Sequence, residues 1–204
     1  MEDTWPGVED ETPLDLSHLT TRVRQQGIST RAELSKLEAD NIRRVVVKYL
    51  AAKPSAALAP FDITWALKLH EEMFNEVWQW AGRTRVEDVN IGVPVYNIHG
   101  DLFGLLQDLP EWPGYKMPLL EQAARLHHRA VAIHPFPNGN GRWSRMLGNI
   151  WLRRNDAPIV NWPEDTIGQT SVIRKDYIAA IKKADAGDYS DLIAMHETYA
   201  ATGR

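Results

Sequence analysis

Apolar residues recur at intervals of three and four along most of the chain, which is the period of a helix that buries one face. Thr30 and Glu33 stand before the first such run with the spacing of a helix-capping box. The period predicts about seven helices, at 31–51, 62–80, 101–109, 119–133, 143–154, 171–185 and 189–200. The pattern therefore predicts an all-α domain over 29–204. An extended arm is expected at 1–28, where prolines and a glycine interrupt an acidic stretch.

Residues 83–100 depart from the helical period. β-branched residues there alternate with polar ones on either side of Gly92-Val93-Pro94, which has the composition of a turn. We therefore expect a small, exposed β-hairpin between two helices. By its own residues this segment is a surface hairpin, and the alternation assigns it no chemical role.

Composition narrows the class of protein. With 204 residues, 44% of them hydrophobic and 25% charged, the chain has the size and make-up of one soluble globular domain. A net charge of −4 argues against broad nucleic-acid binding, which requires a basic surface. The absence of cysteine excludes disulfides and thiolate catalysis. The acidic N-terminus has no apolar core and no run approaches a membrane span, so we expect a cytoplasmic protein without signal peptide or anchor.

One stretch, HPFPNGNGRWSR at 134–145, has the residue types of a chemical site. Pro135 disfavours helix at the residue before it, so His134 is expected at the end of the preceding helix. Gly139 and Gly141 allow a turn whose N–H groups point at one spot, and a new helix begins directly afterwards. A helix N-terminus favours an anion, and two arginines three residues apart offer fork-shaped donors to a polyphosphate. These residues predict a general base beside a phosphate site; the alternative is a turn between helices with solvent-exposed arginines.

This stretch resembles the motif of the Fic/Doc family, HPFx(D/E)GNGRxxR, at every fixed position except Asn138. Trp80-Ala81-Gly82 is similar to the WAG that ends the corresponding helix in that family. The resemblance implies a mainly helical protein that transfers a nucleotide monophosphate, usually AMP from ATP, to a hydroxyl group of a target protein. It implies His134 as the base, acting with Asn140 and Arg142. The residues it implies for binding the donor are Phe136, Asn138, Gly139, Asn140, Gly141, Arg142 and Arg145.

Asn138 stands where the family has an acidic residue. In the family that acid binds the Mg²⁺ ion that bridges the phosphates of the nucleotide. Mg²⁺ prefers carboxylate and phosphate oxygens, whereas asparagine offers a neutral carbonyl oxygen and is at most a weak ligand. We therefore expect weakened use of Mg²⁺, a different donor or low activity, and the sequence does not distinguish these outcomes.

The resemblance also implies a regulatory helix. Many members of the family carry an inhibitory pattern, (S/T)xxxE(G/N), whose glutamate pairs with the second arginine of the motif and disturbs ATP binding. In the predicted helix 31–51 the pattern is imperfect. Ser29 and Glu33 have the spacing, but capping accounts for Glu33, while helical phase turns Glu38 toward the core. We expect Glu38 to be the regulatory residue and to pair with Arg145; a purely structural salt bridge is the alternative.

Three functions are consistent with the resemblance. The first is transfer of AMP, with the target protein docked by strand addition on the hairpin at 83–100, the flap of the family. The second keeps the site but transfers UMP, phosphocholine or a phosphoryl group. The third is a nucleotide-binding regulatory module that has lost catalysis. The stretches TPLDL and TRAELSKLEADNI are similar to a branch called mobile mystery protein B, linked with mobile elements, and identify no target.

Overall fold

The computed structural model of the protein describes residues 4–5, 14–28, 30–163 and 171–200. Over these ranges the chain is almost entirely helical, which confirms the predicted all-α class, and none of their helices is both long and apolar enough to cross a bilayer. The α-helices are α1 (Thr21–Gln25), α2 (Arg31–Leu50), α3 (Ile63–Phe74), α4 (Ile98–Asp108), α5 (Leu119–Ile133), α6 (Asn140–Arg154), α7 (Val172–Asp185) and α8 (Ser190–Tyr199). Short 3-10 helices lie at Leu16–His18, Val95–Asn97 and Leu109–Tyr115, and the strands β1 (Thr4–Trp5) and β2 (Leu14–Asp15) pair antiparallel. The other residues of the predicted arm 1–28, together with Ser29, lie outside the described residues.

A side-chain cap fixes the start of the long helix α2. The hydroxyl of Thr30 accepts a hydrogen bond from the N–H of Glu33, and the Glu33 carboxylate accepts one from the N–H of Thr30. The predicted capping box is thereby confirmed. One face of this helix, with Leu34 and Tyr49 almost fully buried, packs on the core and carries Glu38 into it.

The end of α3 is set by contact with the N-terminal arm. The helix stops at Phe74, well before the end that the apolar period predicts. Beyond it, Thr20 N–H donates to the carbonyl of Val77 and Gln79 N–H donates to the carbonyl of His18, both at 2.9 Å. Backbone groups that pair with a distant segment cannot also continue a helix. The predicted helix end was wrong because this pairing joins residues far apart in the sequence.

Helices α5 and α6 pack against each other at the centre of the domain. Trp143 of α6 is fully buried, and its indole N–H donates to the carbonyl of Ala66 on α3 at 3.0 Å. The indole N–H of Trp151 donates to the side-chain carbonyl of Gln122 on α5, also at 3.0 Å. The polar atom of each of these two buried rings is therefore satisfied. The loop 134–139 between α5 and α6 is anchored in the core at both ends.

Residues 83–97 form no β-hairpin, so the prediction of a hairpin flap is wrong. The main chain of this segment pairs with the turn after α5 instead. Arg85 N–H donates to the carbonyl of Pro135 at 2.9 Å, and Val93 N–H donates to the carbonyl of Ile133 at 3.3 Å. Donors that bond to another part of the chain cannot form a ladder with each other. The side chain of Arg85 lies between the two halves of the segment, where a hairpin would have cross-strand bonds.

Candidate active site

His134 ends α5 in a left-handed backbone conformation, with φ 52° and ψ 58°. This conformation costs a residue with a β-carbon about 1–2 kcal/mol. Pro135 accounts for part of it, because a residue before proline is disfavoured in the right-handed helical region. The prediction that proline ends the helix at His134 is confirmed. Only 8% of the residue remains exposed, so the turn encloses most of the imidazole.

The surroundings of His134 keep its imidazole uncharged. Burial and, to a smaller extent, the guanidinium of Arg85 lower the pKa of His134 to about 4, although the ring also has a hydrogen bond to the main chain of Val131. A neutral imidazole that donates its one N–H to a carbonyl keeps a lone pair on the other nitrogen. At neutral pH His134 is therefore able to accept a proton, as a general base must.

Asn140 and His70 hold the loop after α5. Asn140 bonds Phe136 twice, its Oδ1 accepting the main-chain N–H and its Nδ2 donating to the carbonyl, each at 2.9 Å. The ring of Phe136 stacks on His70, with centroids 3.5 Å apart. His70 Nδ1 accepts the N–H of Gly82 at 3.0 Å, so its Nε2 carries the proton and donates to the carbonyl of Asn138 at 3.1 Å. These bonds fix the loop 134–139. The side chain of Asn140 is engaged by its two bonds to Phe136.

Gly139 is required at the start of α6. Its φ is 78°, and a β-carbon at this position would lie 2.7 Å from Cζ of Phe74, inside van der Waals contact. With the glycine, the chain turns directly into the helix. The N–H groups of Asn140, Gly141 and Arg142 then belong to a first turn that has no acceptors within the helix. Together with the positive end of the helix dipole, they have the geometry that favours an anion.

Arg145 lies beside the same turn in an aromatic setting. It is 5% exposed, and its guanidinium carbon lies 6.0 Å from the ring centroid of Trp162 and 5.5 Å from that of Tyr177. These are cation–π distances. The guanidinium also reaches back toward the start of α6, since a β-carbon on Gly141 would lie 3.3 Å from its Nη1. The position of Arg145 therefore suits a contact with an anion at this helix end.

Glu38 reaches the site from α2, but with a different partner from the one predicted. Its Oε2 accepts a hydrogen bond from Arg142 Nη1 at 2.7 Å, and its Oε1 accepts one from Trp78 Nε1 at 2.6 Å. Glu38 is 6% exposed, so both oxygens of a buried carboxylate have donors. The expected pairing with Arg145 is wrong. Arg142 is the arginine that faces α2, where its guanidinium carbon lies 4.8 Å from the ring centroid of Phe74.

Asn138 does not fit the role of a Mg²⁺ ligand. Its Oδ1 carries no charge, and one of its two lone pairs accepts the N–H of Gly139 at 2.7 Å. In the ranges that the structure describes, no group of three or more acidic or histidine side chains is placed to hold a metal ion. Mg²⁺ is usually held by carboxylates and phosphate oxygens. These residues by themselves do not form a Mg²⁺ site.

Arg85 and Trp78 belong to the site although no sequence pattern indicates them. Arg85 Nε donates to the carbonyl of His134 at 2.8 Å, and Trp78 binds the carboxylate of Glu38. His70 is a fully buried residue of α3 that also bonds to the loop 134–139. An arginine in an alternating segment has no distinctive spacing. The tertiary structure was needed to find it.

Comparison with known proteins identifies the domain. Residues 60–152, which include α5, the loop after it and most of α6, match the model of the Fic/DOC family. The chain contains a domain of the Fic/DOC family. This Fic domain is 33% identical over 114 residues to protein adenylyltransferase fic-1 of Caenorhabditis elegans and 35% identical over 127 residues to protein adenylyltransferase Fic of Drosophila willistoni. These matches cover 53% and 60% of this chain but 21% and 24% of the relatives, so the chain spans a small part of their length.

Solved Fic structures share the fold described above. Fic-1 of C. elegans has a TM-score of 0.66 over 91% of this chain and 55% of its own, at 23% identity. The BepC protein of Bartonella tribocorum, solved with bound AMPPNP, has a TM-score of 0.61 over 88% of this chain and 92% of its own, at 18% identity. At these identities the likeness shows the fold. The resemblance to the Fic family that the motif predicts is confirmed.

Proposed function

We propose that this Fic domain transfers AMP from ATP to a hydroxyl group of a target protein. The observation that carries the proposal is the arrangement, around one short loop, of a neutral His134 and the first turn of α6 with Arg142 and Arg145 beside it. A base next to an anion site suits the attack of a hydroxyl on phosphorus. Two relatives named as adenylyltransferases, and Bartonella Fic proteins solved with AMPPNP and with ADP, support ATP as the donor.

In the proposed reaction, His134 accepts the proton of the target hydroxyl. The hydroxyl oxygen bonds to the α-phosphorus of ATP while the bond from that phosphorus to the oxygen bridging it to the β-phosphate breaks. Pyrophosphate leaves, and AMP stays on the target. The N–H groups at the start of α6, with Arg142 and Arg145, stabilise the negative charge on the phosphates. His134 then releases its proton to solvent.

We propose the segment 83–100 as the place where the target protein docks. It lies against the turn that carries the base, since a β-carbon on Gly92 would lie 2.6 Å from Cβ of His134. Val86 and Tyr96 in this segment are 85% and 83% exposed, so both offer apolar contact area to a partner. Because the segment forms no ladder, contact through these side chains replaces the strand addition that the resemblance to the Fic family implies.

The contacts of Asn138 favour a second candidate function. Without a carboxylate at this position, the phosphates rely on N–H groups and arginines, which serve nucleotide binding as well as transfer. The site would then belong to a nucleotide-binding regulatory module. A third candidate keeps the transfer chemistry but moves UMP, phosphocholine or a phosphoryl group.

Intact-mass spectrometry separates these functions. The purified chain would be incubated with ATP, UTP or CDP-choline, alone and with a protein lysate, and ligand-induced thermal stabilisation would be measured in parallel. Adenylyl transfer is expected to add the mass of AMP to the chain or to a lysate protein, with ATP alone among these donors. Stabilisation by ATP without any covalent adduct would establish the binding module instead. An adduct from another donor would establish the third candidate.

Replacing Glu38 by Gln is expected to increase the affinity for ATP and the rate of transfer by about tenfold, which corresponds to about 1.4 kcal/mol. The amide keeps an acceptor for the indole N–H of Trp78. It removes the negative charge that now binds Arg142, so the guanidinium becomes free for a phosphate. Isothermal titration calorimetry and the transfer assay measure the two effects. This outcome would assign a regulatory role to Glu38.

A matched control for this prediction is Glu76→Gln. Glu76 makes exposed ion pairs with Arg22 and Arg44, none of which belongs to the loop 134–139. Loss of such pairs changes stability by at most about 1 kcal/mol and leaves nucleotide binding alone. If Glu38→Gln only lowered thermal stability, with ATP affinity and transfer as in the wild type, the salt bridge of Glu38 with Arg142 would be purely structural.

Replacing Asn138 by Asp is expected to make ATP binding depend on Mg²⁺. A carboxylate at this position offers the charged oxygen that Mg²⁺ prefers, whereas the present amide oxygen is bonded to Gly139 N–H. We expect the variant to bind ATP about tenfold more tightly with Mg²⁺ than with EDTA, and the wild type to differ little between the two. Calorimetry measures the affinity of each protein for ATP with Mg²⁺ and with EDTA. The control is Asn90→Asp, a substitution at an exposed residue of the docking segment. The same Mg²⁺ dependence in all three proteins would show that Asn138 does not limit use of the metal.

A further inference from the structure

Arg85 is a buried arginine whose side chain bonds to the main chain. It is 4% exposed. Its Nε donates to the carbonyl of His134 at 2.8 Å, its Nη1 to the carbonyl of Glu87 at 3.0 Å, and its Nη2 to the carbonyl of Val93. A buried guanidinium is tolerated only when its donors are satisfied, and here three carbonyls satisfy it. Two of these carbonyls belong to the segment 83–100 and one to the candidate base.

The segment also touches the base directly at Gly92. Its φ is 98°, and a β-carbon there would lie 2.6 Å from Cβ of His134, 3.0 Å from Nη2 of Arg85 and 3.1 Å from the carbonyl of Ile133. No other residue type fits this approach without displacing one of these groups. The segment and the turn that carries His134 therefore form one packed unit, with the guanidinium at its centre.

Arg85 is also the charged side chain that acts on the imidazole of His134. Among the described residues near the turn, Arg142 is paired with Glu38 and Arg129 is paired with Asp108. Asp88 lies at the outer side of the Arg85 guanidinium, and burial lowers the pKa of His70 so that it is uncharged. Nearby on α5 the imidazole bonds to the neutral main chain of Val131. A change of charge at Arg85 is therefore expected to change the pKa of His134.

We propose that Arg85 is a positioning residue for the base: its three carbonyl bonds hold His134 in the left-handed conformation and join it to the segment on which the target docks. The inference rests on the proposed transfer reaction. A fork of donors is needed for this role, because a lysine ammonium cannot reach three separate carbonyls in one plane. Docking of a target on the segment then acts on the orientation of the base through this side chain, in addition to the contact of Gly92 and the main-chain bonds.

The test compares Arg85→Met, which removes charge and fork, with Arg85→Lys, which keeps the charge. A misplaced base commonly costs about 10²-fold in rate, so Arg85→Met is expected to slow transfer by about that factor at unchanged ATP affinity. The pKa of His134 is expected to rise by about one unit in this variant. It is measured by NMR titration of histidine-labelled protein, with the signal assigned from His134→Ala. In Arg85→Lys the pKa stays, but transfer falls about tenfold because the fork is lost.

The matched control is Arg43→Met, an exposed arginine of α2 that pairs with Asp40 and lies outside the docking segment, which should change neither quantity. Wild-type transfer in both Arg85 variants, or an unmoved His134 titration in Arg85→Met, would overturn the proposal. If Arg85→Met does not fold, Arg85→Lys decides, since wild-type transfer in that variant shows the fork to be unnecessary. The titration requires neither ATP nor target. A wild-type protein without adenylyl transfer would therefore count against the proposed function, while the titration still reports on Arg85.

Discussion

Replacing His134 by Ala or by Asn is expected to reduce adenylyl transfer by about 10²–10⁴-fold, the usual contribution of a general base, while ATP is still bound. The reaction loses its proton acceptor. The phosphate contacts remain, because they come from the first turn of α6 and from Arg142 and Arg145. The Asn variant is the sharper one, since asparagine adopts the left-handed conformation of residue 134 more readily than alanine. Single-turnover transfer and calorimetric ATP titration measure the two effects.

His18→Ala is the control for this pair, because His18 is exposed in the 3-10 helix Leu16–His18 and lies outside both the loop 134–139 and the docking segment. It should transfer AMP as the wild type does. Transfer that survives in both His134 variants would show that another group takes the proton. Loss of ATP affinity together with transfer would instead place His134 among the residues that bind the donor.

Acidification is expected to remove a large share of the folding stability between pH 6.5 and pH 5. Burial lowers the pKa of His70 to about 3 and those of His134 and His196 to about 4, and it lowers that of His127 well below its usual value. In the unfolded chain histidines titrate near pH 6.5. Above that pH both states are unprotonated and the stability is complete. As the pH falls, the unfolded state takes up protons that the folded state refuses.

The size of this loss of stability follows from the pH interval between 6.5, where histidines of the unfolded chain titrate, and 5. Each of the three histidines with a pKa near 3 or 4 is expected to lose about 2 kcal/mol of stability at pH 5, at about 1.4 kcal/mol per pH unit. A typical domain has only about 5–15 kcal/mol in total. Urea unfolding at pH 7 and pH 5 measures the loss. The loss levels off once the pH falls below the folded-state pKa values.

A variant with one fewer buried histidine checks the assignment. His196→Leu should lower the slope of stability against pH by about 1.4 kcal/mol per unit between pH 6 and pH 5, because one proton fewer is taken up on unfolding. Val47→Ala, at an exposed position without a titrating group, should leave the slope unchanged. Equal free energies of unfolding at pH 7 and pH 5 in the wild-type protein would contradict the buried, neutral state of these histidines.

The parts of the structure that the sequence predicts are those built by neighbours in the chain. The capping box joins Thr30 to a residue three positions away, and Pro135 acts on the residue directly before it. Gly139 opens α6 through its own φ. Each of these effects operates within one turn of helix, so composition and spacing are sufficient to predict it.

The parts that the sequence did not predict depend on contacts between distant segments. Residues 83–97 have the alternation of a hairpin, but their main-chain donors bond to the turn after α5. Glu38 has the helical phase of a buried residue, and that phase does not decide which arginine it meets. The packing of α2 beside α3 and α6 places Arg142 there. Both errors concern the choice of partner.

By itself, the sequence determined an all-α domain and placed a histidine, a glycine turn and two arginines within the stretch 134–145. Only the tertiary structure decided that Arg85 binds the carbonyl of His134 and that Glu38 binds the first arginine of the motif. The physical reason is that local conformation depends on side chains a few positions apart. A hydrogen bond between distant residues depends instead on how the whole core packs, because burial requires each polar group to bond to whichever partner the packing brings near.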